Sequence, residues 1–286
     1  MKIQWYPGHM TKAKRAMEAD IKLVDLVIEL VDARVPASSR NPDIDRLAQN
    51  KARLILLNKS DLADEKVNRQ WEEWFAQKGI LAVRLNAKSG TGMKTVQNAI
   101  QEACKEKTER DRRRGILNRP VRAMVVGIPN VGKSTFINSL ARKAAAKTGN
   151  KPGVTKGNQW IRLNKNVELL DTPGILWPRF EDETTGVRLA LIGSVNDEIL
   201  DLRELAAEGI RFLQKRYPGV LKERYGAEEE NSPYEILQEI AKVRNCLQKG
   251  GEPDADKAIR LFLDDLRSGR LGGISLERPQ EEMGAQ

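Results

Sequence analysis

Cysteine is scarce in this chain and long apolar runs are missing. Only Cys104 and Cys246 occur in 286 residues. They stand far apart, with neither the spacing of a metal knuckle nor the number a disulfide framework needs. A zinc module and a disulfide-stapled secreted scaffold are therefore excluded. Asp25, Glu29 and Asp32 interrupt the most apolar stretch, so nothing approaches the ~18 consecutive apolar residues of a membrane span. The opening Met1-Lys2-Ile3-Gln4-Trp5-Tyr6-Pro7 lacks the apolar centre of a signal peptide. The expectation is a soluble, cytoplasmic chain with no membrane partner.

What is present points to a folded, basic protein. Apolar residues make up 40% of the chain, enough for a real core, and the length suits roughly two domains at ~150 residues each. Lys and Arg number 49 against 40 Asp and Glu, for a net charge of +9 and an isoelectric point near 9.5, which suggests an anionic partner. Short apolar runs at 26–31, 54–57, 81–85, 124–126 and 167–170 read as buried strands, with helical stretches at 67–77 and 93–107 between them. This alternation predicts an α/β domain with a doubly wound, mostly parallel sheet over residues 1–180, its functional residues beyond the carboxyl ends of the strands. After Trp177 the pattern changes. Val195, Ile199, Leu202, Leu205 and Ile210, then Ile236, Ile240, Val243 and Leu247, then Ile259, Phe262 and Leu266 recur at helical spacing. They predict a smaller all-helical domain over 185–268, with 269–286 as a mobile tail.

Gly127-Ile128-Pro129-Asn130-Val131-Gly132-Lys133-Ser134 fits the phosphate-loop pattern G-x-x-x-x-G-K-[ST] between a strand and an amphipathic helix. Its backbone N–H groups, from Asn130 and Val131 through Gly132 to Thr135, would curl around a phosphate chain at a helix N-terminus. Lys133 would reach the β- and γ-phosphates and the Ser134 hydroxyl would ligate Mg²⁺. Asp171-Thr172-Pro173-Gly174 ends another apolar strand. Asp171 would approach the Mg²⁺ through water, and the Gly174 N–H could sense the γ-phosphate. Thr155, in a Gly/Pro loop between those motifs, can add a second hydroxyl to Mg²⁺. A simple turn and a plain loop threonine are the alternatives for these last two.

Asn58-Lys59-Ser60-Asp61 follows the strand at 54–57. In an N-K-x-D element the aspartate accepts hydrogen bonds from the ring N–H and the exocyclic amine of guanine, and adenine offers no matching pair. Asn58 and the stem of Lys59 would position and stack on the ring. Asn86-Ala87-Lys88, at the end of the strand at 81–85, would supply a backbone N–H to the guanine oxygen and brace the loop.

Together these motifs resemble the signature set of the translation-factor-type GTPases in a rotated order, the base-reading elements preceding the phosphate loop. The chain is similar to the circularly permuted GTPases. With Trp5-Tyr6-Pro7-Gly8-His9-Met10, Asp32-Ala33-Arg34-Val35-Pro36 and the helical C-terminal region, it resembles the ribosome-biogenesis branch of that family over nearly its whole length. That resemblance implies GTP and GDP as ligands and Mg²⁺ as cofactor. It also implies an RNA-binding helical domain and late maturation of the large (50S) ribosomal subunit, with the subunit precursor and rRNA as partners of a monomer. It further implies that His9, the only histidine, acts on the attacking water, and that Asn130 helps bind K⁺ as an activating cation. A cap on the N-terminal segment or an RNA contact is the alternative for His9, and an exposed loop residue for Asn130. Ile175 occupies the position where many GTPases carry a water-orienting Gln, so hydrolysis by the isolated chain is expected to be slow.

Three basic stretches bear on partners. Residues 142–165 hold seven Lys/Arg and no acid, suited to rRNA phosphates. Residues 105–122 are either a solvated helix end and linker or an anion-facing patch. In the helical domain Lys215, Arg216, Lys222 and Arg224 form the expected patch. Two further readings stay open at this point: an rRNA-binding assembly module in which GTP only sets the conformation, and a P-loop ATPase or kinase.

Overall fold

The computed structural model describes residue 15 and residues 17–116, 119–148, 159–164, 166–171, 183–248 and 250–279. These form two compact units. One takes the chain up to Ser60, from Glu65 through 171, and 277–279; the other takes Asp61–Asp64 and 183–276.

Among the described residues the first unit is built on a six-stranded sheet, β1 (Leu26–Asp32), β2 (Ala52–Asn58), β3 (Leu81–Leu85), β4 (Val121–Val126), β5 (Gln159–Asn164) and β6 (Val167–Asp171), in the order β3-β2-β1-β4-β6-β5. All neighbours are parallel except β5 and β6. Every residue of β1 is buried, which is why it reads as an apolar run and not as an alternation. Glu29 is tolerated there because the guanidiniums of Arg40 (Nε to Oε2, 3.0 Å) and Arg53 hold its carboxylate. Register places Val27 beside Met124 and Met124 beside Leu170, and these join Met17, Ile21, Val24, Ile44 and Ala48 in one core layer.

The sheet unit contains α1 (Asp43–Leu47), α2 (Glu65–Gln77), α3 (Met93–Ala103), α4 (Lys105–Arg113) and α5 (Lys133–Thr148). Helices α2 and α3 lie against β3, α3 also against β2, and α5 against β5. Trp71 and Phe75 anchor α2 from fully buried positions. The edge strand β5 was not expected, since its Trp160 and Arg162 are exposed and it lacks the continuous apolar run of a buried parallel strand. The charged stretch after Ala103 begins as helix α4, in which Lys107 Nζ binds Asp111 Oδ2 at 2.6 Å while Arg112, Arg113 and Arg114 are exposed.

The second unit is helical: α6 (Glu183–Leu191), α7 (Leu202–Arg216), α8 (Val220–Tyr225), α9 (Pro233–Val243) and α10 (Ala255–Ser268). Local chemistry sets their starts. Asp201 accepts from the Arg203 and Glu204 amides, and Ser232 forms a capping box with Glu235 around Pro233. Asp254 accepts from the Lys257 amide. Helices α7, α9 and α10 pack on one another through Leu205, Ile210, Ile236, Ile240, Ile259 and Phe262, all buried. Among the described residues no helix is long and apolar enough to cross a membrane.

The tail expected from Gly269 is corrected over 269–279. Leu271, Ile274, Ser275, Leu276 and Glu277 are buried. The Glu277 carboxylate accepts from the Ala37 amide, from the Ser38 amide at 3.1 Å and from the Ser38 hydroxyl at 2.5 Å. Three apolar residues spaced among Gly, Ser and Arg fit neither helical nor strand periodicity, yet they suffice to bury the segment. Arg224, expected in a basic patch, is instead committed inward to Asp265.

That carboxylate is the polar centre of the helical unit. Asp265 Oδ2 accepts from Arg224 Nε and Tyr225 Oη, both at 3.0 Å, and Oδ1 accepts from Arg270 Nη1 at 2.8 Å. Burial alone would raise the Asp265 carboxyl, but the bonds from Arg270, Arg224 and Tyr225 outweigh it and hold the group below its ordinary value. A lowered folded value means the stabilisation is present above the unfolded aspartate range near ~3.9 and is lost as pH falls below it. Thermal melts across pH 3–7 should show a steeper acid decline in the native chain than in Asp265→Asn, whose midpoint is already reduced at pH 7. Parallel pH profiles would remove this carboxylate from the account.

Candidate nucleotide site

The parallel strands deliver the expected motifs to one edge of the sheet. Register sets Asp32 beside Asn58 and Asn58 beside Leu85, so β1, β2 and β3 end level with one another. On the other side of β1, Val125 of β4 pairs with Asp171 of β6, just before β4 runs into Gly127. The direction in which successive strands are added reverses between β1 and β4, the switch point where open α/β sheets bind ligands.

Side chains then join the two halves. Asn58, buried at the end of β2, donates from Nδ2 to the Val131 carbonyl at 2.7 Å and accepts at Oδ1 from the Ala87 amide at 2.9 Å. A single amide thus ties the N-K-x-D element to the phosphate loop and to the Asn86-Ala87-Lys88 turn. Lys59 repeats the link, its Nζ donating to the Asn130 carbonyl at 2.8 Å. Ser139, on the second turn of α5, donates to the Ala87 carbonyl at 2.9 Å, and Ser60 to the Leu85 carbonyl at 3.1 Å. Lys59 (φ 56°) and Asn130 (φ 59°) both occupy left-handed backbone. Asparagine enters that region readily, whereas lysine is strained there, by about 1 kcal/mol, and must be held by its contacts.

The group that holds Lys59 was not assigned a role from sequence. Asp32 is fully buried at the end of β1. Its Oδ2 lies 3.1 Å from Lys59 Nζ, and both of its oxygens accept from Arg34, Nε to Oδ1 at 2.9 Å and Nη2 to Oδ2 at 2.8 Å. Burial opposes the charge on Asp32. The Arg34 guanidinium, by charge and hydrogen bond, and then Lys59 outweigh it and hold the carboxyl well below the usual range. The available signal was a carboxylate ending a mostly apolar strand, the position that Asp171 occupies on β6, with an arginine two residues on.

The phosphate loop has the form its pattern requires. Gly132 sits at φ 96°, and a Cβ there would lie 2.4 Å from Asn58 Nδ2. Lys133 opens α5 and is buried, while Asn130, Ser134 and Thr135 are exposed. Asp61 is exposed in the short helical turn Ser60–Leu62. In Asn86-Ala87-Lys88, the Ala87 amide is taken by Asn58 and the Lys88 amide by Asn86 Oδ1 at 2.9 Å, so here the element braces the loop and offers neither amide to a base. His9, Thr155 and Gly174 lie outside the described residues, as do 149–158 and 165 of the basic stretch 142–165; for Asp171 the backbone alone is described. Among the described residues no group of three or more His, Cys, Asp or Glu forms a metal cage. Mg²⁺ in phosphate sites draws mainly on substrate oxygens, water and one or two protein oxygens, which an exposed Ser134 hydroxyl at the start of α5 fits.

Strand order, phosphate loop and the joined base-reading elements define a circularly permuted P-loop GTPase. A family model described as 50S ribosome-binding GTPase matches residues 122–238. A Bacillus cereus protein named Ribosome biogenesis GTPase A is 51% identical over 98% of this chain and 95% of its own length, and the Thermotoga maritima protein of that name is 34% identical over 98% and 95%. The GNP-bound crystal structure of YlqF from T. maritima superposes with a TM-score of 0.66 at 31% identity, covering 94% of this chain and 99% of that one. The GDP-bound YlqF structure gives 0.68 at 29% identity over 93% and 100%. The chain belongs to the ribosome biogenesis GTPase A family, and it is a GTPase.

Gly132→Ala should weaken binding of a fluorescent GDP analogue roughly 100-fold, the about 2–3 kcal/mol of forcing Cβ against Asn58 at positive φ. Far-UV circular dichroism should stay native. Unchanged affinity would show that Asn58 and the loop need not pack so closely.

Proposed function

We propose that this chain binds GTP and GDP at the edge formed by β1, β2 and β4, hydrolyses GTP with Mg²⁺, and serves late maturation of the large (50S) ribosomal subunit in the cytoplasm as a monomer. The observation that carries this reading is the pair of bonds from Asn58 and Lys59 to the carbonyls of Val131 and Asn130. They make the two ends of a nucleotide site, written in rotated order in the chain, one rigid piece. Asp61 reads guanine. Lys133 and the amides through Thr135 hold the phosphates, with Gly174 sensing the γ-phosphate. Ser134, Thr155 and, through water, Asp171 would hold Mg²⁺, which would supply neutralisation of the charge that develops on the transferred phosphoryl group. Asn130 is assigned the binding of a K⁺ ion that adds to this effect.

Ile175 cannot orient water, so His9 is assigned that role, effective when the precursor subunit is bound. The basic stretch 142–165 meets rRNA phosphates, and because its sequence includes Thr155, assigned to respond to the γ-phosphate, it links rRNA contact to the bound nucleotide. Hydrolysis then releases the protein from the particle.

Competition binding should rank GTP above ATP, and Asp61→Asn should cost GTP at least ~100-fold while leaving weak ATP binding alone. ATP binding as tight as GTP would favour the ATPase or kinase reading. Large ribosomal subunits should raise GTP turnover strongly, and His9→Ala should remove that stimulation by about 100-fold or more, the usual scale of a lost general acid–base group. Slow turnover that subunits leave unchanged, with GTP-dependent subunit binding retained, would favour an rRNA-binding module whose conformation GTP sets.

A further inference from the structure

The residues that follow Asp61 belong to the helical unit. The short stretch Asp61–Asp64 clusters with 183–276 although the chain on either side of it is part of the sheet unit. Its partners are residues 269–275, which follow helix α10. Ile274 donates its amide to the Leu62 carbonyl at 3.0 Å, and the Asp64 amide donates to Ser275 Oγ at 3.1 Å. A Cβ on Gly273 would lie 2.7 Å from the Ala63 carbonyl oxygen, and one on Gly269 would lie 2.6 Å from Leu62 Cδ2. Ser275 is fixed in turn: its amide donates to Tyr217 Oη at 3.0 Å, and that hydroxyl lies 3.2 Å from the Ser275 carbonyl.

Asp61 is thus bounded by two different supports. On its amino side Ser60 is locked to the sheet unit, where Asn68 Nδ2 donates to the Ser60 carbonyl at 3.0 Å and the Ser60 hydroxyl donates to Leu85. On its carboxyl side Leu62, Ala63 and Asp64 each touch residues 269–275. A carboxylate that accepts two hydrogen bonds from one base edge must be held within a few tenths of an ångström, and positioning of that quality depends on the surrounding shell.

We infer that residues 273–275 are positioning residues for guanine selection, setting where the Asp61 carboxylate stands by clasping the three residues after it. This rests on the reading of Asp61 as the guanine acceptor. A consequence is reciprocal coupling: whatever displaces the 269–275 segment changes guanine affinity, and guanine binding stabilises the clasp by the same factor.

Inosine diphosphate lacks the exocyclic amine of guanine and shares every other feature of GDP, so the GDP-to-IDP affinity ratio reports how well Asp61 is placed. A loss of general stability lowers both affinities and leaves their ratio unchanged. The full-length chain should be titrated with both nucleotides as wild type, Gly273→Ala, Ser275→Ala and Asp61→Asn. Gly273→Ala pushes on the Ala63 carbonyl and Ser275→Ala releases the Asp64 amide; the second serves if the first does not fold. The expected result is a ratio cut about tenfold or more by either clasp variant and abolished by Asp61→Asn, with IDP, which keeps the ring N–H bond to Asp61, weakened less than GDP in the clasp variants. If Asp61→Asn abolishes the ratio and both folded clasp variants keep it, the clasp is wrong and the role of Asp61 stands. If Asp61→Asn leaves the ratio intact, the role of Asp61 falls and the clasp with it.

Discussion

One buried side-chain amide, Asn58, carries the geometry of the nucleotide site. Its donor and its acceptor go to different loops, Val131 in the phosphate loop and Ala87 after β3, so neither loop can shift without breaking a bond inside the protein. Each such bond contributes only about 1 kcal/mol to stability, but leaving a buried donor or acceptor unpaired costs about 1–3 kcal/mol. The restraint is therefore stiff even though its net contribution is modest. Gly132 is a direct consequence, since the approach of Asn58 leaves no room for a side chain there.

Around that amide sits a charged layer with its own logic. Asp32 lies fully buried between Arg34 and Lys59, and the cation it holds is the one that reaches the Asn130 carbonyl. Lys59 accepts a strained backbone to do so. A buried ion pair contributes little net stability, because desolvation offsets most of the attraction, yet losing one partner is costly. That balance suits a positioning role: the group adds little to the folding equilibrium and strongly disfavours any arrangement in which Lys59 points elsewhere. β1 carries no nucleotide motif of its own. Its part in the site is to place this carboxylate between the base-reading and phosphate-reading strands.

Much of this was legible in the sequence because the signals were local. Five of the six strands announce themselves as apolar runs, since parallel strands covered on both faces have no polar side to display. β5 was missed because an edge strand with Trp160 and Arg162 exposed has no such run. The phosphate loop and the N-K-x-D element carry fixed residues at fixed spacing, and no spacing rule separates residues 58–61 from 127–134. Convergence of those segments was inferred from motif order, and the bonds from Asn58 and Lys59 supply its geometry. The role of Asp32 was hidden because its meaning depends on Lys59, twenty-seven positions later. The segment after Gly269 looked like a tail because buried irregular chain has no periodicity. Its burial comes from single contacts, Glu277 on the amides of residues 37 and 38 and Ser275 on that of Asp64.

Rotating the order of the elements has a mechanical consequence. Among the described residues the strand β6, which ends at the Asp171 of D-x-x-G, is the last in chain order, and the next described element is α6 of the helical unit. The helical unit in turn contains Asp61–Asp64, the proposed guanine acceptor and the three residues after it, and its chain returns to the sheet unit at Glu277. In a GTPase whose γ-phosphate-sensing strand lies mid-chain, the polypeptide after it continues into further strands of the same sheet. Here the chain after β6 next enters α6 among the described residues, and residues 274 and 275, which follow α10, bond to Leu62 and Asp64 beside the proposed guanine acceptor. On the proposed reading, the strand that ends at Asp171 and the residues from Asp61 to Asp64 thus both connect to the helical unit, the first through the chain that follows it and the second through the bonds of Leu62 and Asp64 to Ile274 and Ser275.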